Sequence, residues 1–211
     1  QYLSMSPDKL WEMIPSEGIP RTNRVGYRND PEALICRHPD CRANLYSLHG
    51  NYPWVCNAAT RPWKVQCPEC KRVFPTNDFE GLYKMTVVAN NGVYNAELAH
   101  KLNAENVANG GKDYLHNDLY PELGADWGVD DGMGYDTGEV TSDGVKIVHT
   151  YIAYYNHFAL WYKEKLEKTG GFITEAIMNL SYAYLYTGDE RYGRLGAIML
   201  DRVADVYPTY D

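Results

Sequence analysis

Three amphipathic patterns dominate the last third of the chain. Val148, Tyr151, Ile152, Tyr155, Phe158, Tyr162 and Leu166 recur at helical spacing, which predicts one long helix over 147–168, ended by Gly170 and Gly171. Ile173, Ile177, Leu180 and Tyr184 mark a second helix over 172–186. After the turn Thr187-Gly188-Asp189, a third helix carries Tyr192, Leu195, Met199, Val203 and Val206 and stops before Pro208. Connections this short make consecutive helices antiparallel neighbours. Near the start, Ser6 and Pro7 supply a cap and a first-turn proline for a short helix that Pro15 ends. A modest helical signal over 96–107 closes in Asn109-Gly110-Gly111. The expected fold class is mainly α, a set of antiparallel helical hairpins. No fixed period runs through it, which favours a toroid or irregular bundle over a regular repeat array.

Two stretches break the helical pattern. Residues 31–80 gather all five cysteines and six prolines with little periodicity, and read as a loop-rich, Cys-containing insert. Residues 112–145 are also irregular, because the run from Trp127 through Gly128, Asp130, Asp131, Gly132 and Gly134 to Tyr135 holds too many glycines for a helix interior. The resulting division is an N-terminal helical segment over 1–30, the Cys insert over 31–80, and the main helical region over 81–211.

Composition narrows the function classes. Of the 211 residues 45% are apolar and 23% charged, the mixture of a folded chain. Nineteen Tyr and five Trp against four Phe give most rings a hydrogen-bonding edge, suited to half-buried packing between helices or to sugar surfaces. A net charge of −8 and a pI near 5.2 argue against nonspecific nucleic-acid binding, which needs an extended basic surface. A polyanionic glycan stays compatible, since a local basic patch can outweigh distant charge. No run reaches the roughly 18 to 20 apolar residues of a membrane span. The first residue is Gln1 and no basic-then-apolar leader precedes the first helix, as expected of a processed or trimmed N-terminus and compatible with secretion.

Cys67-Pro68-Glu69-Cys70 has the spacing that lets two thiolates from one tight turn reach a single tetrahedral zinc. Cys36 and Cys41 form a looser second pair, and the four together make a candidate structural zinc site, with Cys56, His38 and His49 as substitutes for any one ligand. Two disulfides with one thiol left over are the alternative. The role is structural in either case, because four protein ligands leave no open position.

On a helical wheel with Tyr155 at zero, Asn156 falls near 100° and His157 near 200°, away from the apolar stripe, and Trp161 shares the side of His157. Polar residues on the back of a helix are ordinary. Tyr154-Tyr155-Asn156-His157-Phe158, preceded by Trp127-Gly128-Val129-Asp130-Asp131-Gly132, nevertheless resembles the Asn-His helix of heparinase II/III-like polysaccharide lyases. The stretch from Trp63 through Cys67 and Cys70 to Phe79 is similar to the Cys-bearing insert of one branch of that group.

The resemblance implies an incomplete α/α toroid followed by β-sandwich domains, with 81–211 as part of the toroid and the rest of the same enzyme as its partner. It further implies a secreted or periplasmic enzyme that cleaves acidic, uronate-containing polysaccharide by β-elimination without a catalytic cofactor. Asn156 would neutralise the uronate carboxylate and His157 would act as base or neutraliser, with Trp127, Tyr155 and Trp161 contacting the sugar. The Tyr these lyases use as proton carrier has no matching motif here. Tyr207 and Tyr210 qualify by position alone, and further cleft residues are expected beyond Asp211. Asp130 and Asp131 are adjacent in a glycine-rich loop, poor geometry for a hydrolase pair, and are expected to make loop hydrogen bonds or touch a cation. His100, His116 and His149 lack ligand spacing. The non-enzyme alternative is a helical scaffold that binds a peptide or glycan.

Overall fold

Ser6 accepts a hydrogen bond from the Lys9 N–H and Pro7 fills the first turn, so helix α1 (Pro7–Glu12) begins where its capping residues place it. The computed structural model describes residues 2–14, 16, 18–19, 35–50, 53–57, 60–125, 127–132, 135–140, 146–149, 151–160 and 172–209, and of 135–140, 146–149, 157–160, 172 and 209 the backbone alone. After α1 come α2 (Leu45–His49), β1 (Val55–Cys56), β2 (Val65–Gln66), β3 (Val73–Phe74), α3 (Phe79–Ala89) and α4 (Ala96–Ala108). Strands β4 (Tyr135–Val140) and β5 (Lys146–His149) then lead into α5 (Tyr151–Leu160), α6 (Phe172–Thr187) and α7 (Glu190–Val206). The architecture is mainly helical, as the periodicity predicts.

The strongest caps are local. Gly188 at φ +68° closes α6, and Asp189 starts α7 by accepting the Arg191 N–H at 3.0 Å. The α7 stripe is buried at Leu195, Met199 and Val206. Arg202 joins it, because its guanidinium lies 3.8 Å over the Trp11 ring where α1 rests on α7.

Three expectations change. The helix predicted over 147–168 begins only at Tyr151, because 146–149 pairs as an antiparallel strand with β4, Tyr135 opposite His149 and Val140 opposite Lys146. Ile147 and Val148 are β-branched, and a short apolar run of that kind suits a strand as well as a helix. Residues 161–171, with Trp161, lie outside the described residues.

The insert over 31–80 is more ordered than a loop. It contains α2 and a three-stranded antiparallel sheet in the order β1-β2-β3, with Val55 opposite Gln66 and Val65 opposite Phe74. Helix α3 has no counterpart among the expected helices, yet its signals are local. Asp78 accepts the Gly81 N–H at 3.0 Å, and Phe79, Leu82, Tyr83, Thr86 and Val87 are buried at helical spacing. Helix α3 packs on α4, α6 on α7, and α5 against both α6 and the strands β1 and β2. No described helix is long and apolar enough to cross a membrane.

Candidate metal centre and the adjoining helix

The two cysteine pairs differ in sequence spacing but fold into matching turns. Cys67 N–H donates to Arg72 O at 2.9 Å, and Cys36 N–H donates to Ala43 O at 2.9 Å. The residue after each second cysteine turns left-handed, Lys71 at φ +65° and Arg42 at φ +46°. That conformation costs a non-glycine residue on the order of 1 kcal/mol and closes both turns on themselves. The sulfurs of Cys36, Cys41, Cys67 and Cys70 consequently converge to within 4.8 Å of one another. Cys36 Sγ and Cys70 Sγ are 3.7 Å apart, close to the edge of about 3.8 Å expected for a tetrahedron of sulfurs about 2.3 Å from zinc, and all five cysteines are free thiols. The four sulfurs thus fit a tetrahedral metal.

Hydrogen bonding favours the thiolate at Cys67. The Cys36 thiol and the backbone N–H groups of Cys70 and Glu69 hold Cys67 below the ordinary thiol range, while that same bond and burial raise Cys36. None of the candidate substitutes joins the four sulfurs. His38 is buried edge-on to Trp127 and Tyr120, at ring separations of 5.4 and 5.9 Å. His49 pairs with Glu69 at 2.8 Å on the rim. Cys56 is buried among apolar groups, which push its thiol up to about 12.

The inner face of this small sheet is the floor under α5. Phe74 stacks on Tyr151 with ring centroids 4.9 Å apart, Trp54 meets Tyr151 edge-on at 5.7 Å, and Trp63 lies 5.2 Å from Tyr155. From Tyr151 to Asn156 every residue of α5 is at most 1% exposed. The wheel that places Asn156 on an open back is thereby corrected. A single helix taken alone has one apolar stripe, but this one is enclosed by the sheet and by α6. Asn156 is fully buried. Tyr155 is too, so its ring is a core contact with Trp63 and not an exposed sugar platform. His157 lies in α5 by its backbone, with its side chain outside the described residues.

Trp127 is half-buried beside His38, Phe74 and Tyr120, and so belongs to the wall between the Cys turns and the loop before β4. That loop is pinned by Thr76, whose hydroxyl donates to Trp127 O at 2.9 Å and whose N–H donates to Gly128 O at 2.9 Å. Lys64 donates its ammonium to the carbonyls of Pro75 and Asn77, and burial lowers its pKa to about 8. Asp131 pairs with His100 at 2.7 Å, whereas Asp130 is buried and bonds the backbone, in keeping with the expected loop role. Tyr207 is 57% exposed after α7, and Tyr210 lies outside the described residues. Comparison with protein families, curated proteins and solved structures finds no match to the chain.

Proposed function

We propose that the chain is part of a lyase that cleaves uronate-containing polysaccharide by β-elimination, on a partial α/α toroid secured by a structural zinc ion at Cys36, Cys41, Cys67 and Cys70. The supporting observation is a juxtaposition. The two segments that resemble heparinase II/III-like lyases, far apart in sequence, meet as the Cys sheet and the Asn156-His157 helix in one aromatic core. The thiolate set suits zinc, which would cross-link the two turns and leave no position for substrate.

In this reading His157 takes the proton from C5 of the uronate. The C4–O bond breaks as the C4–C5 double bond forms, and the departing oxygen acquires a proton from an acid. Asn156 would donate to the uronate carboxylate, stabilising the charge that grows there, a role favoured where water is excluded. Its burial sets a condition, since substrate must open the space around it.

The test is incubation with glycosaminoglycans and alginate, following the ultraviolet absorbance of the conjugated uronate. Product that disappears in His157→Ala with the fold retained supports the reading, and product that persists removes His157 from the chemistry. Reducing ends without the double bond would indicate a hydrolase. One zinc per chain without disulfides supports the metal assignment, and two disulfides overturn it.

The alternative of a non-catalytic helical scaffold draws on the groove of about 640 Å³ between α6 and α7, lined by Ile177, Tyr184, Leu185, Ala197 and Leu200. It predicts no unsaturated product from any polymer, and a peptide or glycan bound in that groove.

A further inference from the structure

Asp130 is fully enclosed on the loop before β4, yet its carboxylate reaches the start of α5. Oδ2 accepts the Ile152 N–H at 3.1 Å and Oδ1 accepts the Gly132 N–H at 2.8 Å. Ile152 is the second residue of α5, so its N–H is one of the donors that a helix start leaves without an intrahelical partner. Caps ordinarily come from the residue just before the helix, whereas this acceptor lies 22 residues upstream.

The loop is itself held. Asp130 N–H donates to Asn77 Oδ1 at 2.9 Å, and Asn77 Nδ2 donates to Asp130 O and to Tyr114 O, each at 3.0 Å. Asn77 follows Thr76, and both are fully buried just beyond β3. Asn77, in the chain that continues from β3, is thus hydrogen-bonded to Asp130, and Asp130 to the first turn of α5.

We propose that Asp130 is a positioning residue, fixing the start of α5 and with it the axial and rotational setting of Asn156 and His157. The functional half of this rests on the reading of that pair as the site; the anchoring half does not. A slip of one residue in the helix start would swing each side chain by about 100°, so an anchor at the first turn adds to the ring contacts of Tyr151 and Tyr155 in holding a catalytic face in place. The neighbouring Asp131 provides the contrast, because its carboxylate pairs with His100 at 2.7 Å near the surface.

Hydrogen exchange on the full chain tests the anchor. Asp130→Ala should speed exchange of the 151–156 amides by roughly tenfold, with α7 and metal content unchanged. Asp130→Asn, which keeps one acceptor, should fall between, and Asp131→Ala should match the wild type. On a uronate polymer, Asp130→Ala should lower kcat about tenfold with KM within about twofold, and Asp130→Asn should recover part of it. Wild-type exchange at 151–156 would overturn the proposal, as would equal loosening of α5 and α7. If Asp130→Ala does not fold, Asp130→Asn decides by the same two criteria. Selective loosening of α5 with unchanged kcat would overturn the positioning role. If the wild type yields no unsaturated product, the lyase reading falls, and the exchange result still decides whether Asp130 anchors α5.

Discussion

The Cys insert with α5 and the α6–α7 hairpin reach order by opposite routes. The sheet under α5 has strands of two residues, far too short to persist alone, and is held by sulfur geometry, stacked rings and buried polar links. Helices α6 and α7 are 16 and 17 residues long, joined by a short capped turn, so each packs chiefly on its neighbour in sequence. Their side chains are less settled, since Leu185 is 74% and Tyr186 86% exposed. The first region is ordered by its tertiary contacts and would lose structure with them. The second is assembled mainly from neighbours in sequence and leaves an apolar face on the surface.

Removing the proposed structural metal should break this contrast most strongly. Chelation under reducing conditions, or Cys67→Ala, is expected to cost several kcal/mol and lower Tm by roughly 10 °C or more. Hydrogen exchange should show β1–β3 and α5 losing protection before α7. Equal loss in both regions would dissolve the distinction. Next in size is Trp63→Ala, which removes a ring that is 1% exposed between Tyr83 and Tyr155. It should cost about 3 to 5 kcal/mol by urea denaturation.

A smaller effect is expected with pH. Burial pushes Asp130 up to about 7 from an ordinary 3.8, against the pull of the Gly132, Ile152 and Tyr151 N–H groups, with Asp131 adding to the rise. Between these values the folded chain keeps a proton that the unfolded chain has released, so stability falls as pH rises from about 4 to about 7. Urea midpoints measured across that range should slope downward in the wild type and flatten in Asp130→Asn. An equal slope in both would assign the pH dependence elsewhere. The smallest change belongs to the other region. Leu185→Ser should shift stability by less than about 0.5 kcal/mol; a larger loss would mean that the α6–α7 face is covered.

Much of the helical framework was legible along the chain. Ser6, Asp189 and Gly188 act through neighbours two to four residues away, so their roles follow from sequence order alone. Helix α3 was legible as well, in the Asp78 cap and the spacing from Phe79 to Val87, but the proline- and cysteine-rich stretch before it obscured the signal. The environment of α5 was not legible. Asn156 reads as surface on a wheel, because a wheel places residues relative to their own helix and contains no information about how many sides are covered.

The sequence by itself determined which residues can cap, turn, ligate a metal and form helices, since these depend on side-chain chemistry and short spacing. Only the tertiary structure decided that two unequal cysteine pairs close into matching turns, that Trp54, Trp63 and Phe74 floor the helix of Asn156, and that Asp130 reaches its first turn. Each of these joins residues far apart along the chain, and such contacts depend on how the intervening elements pack.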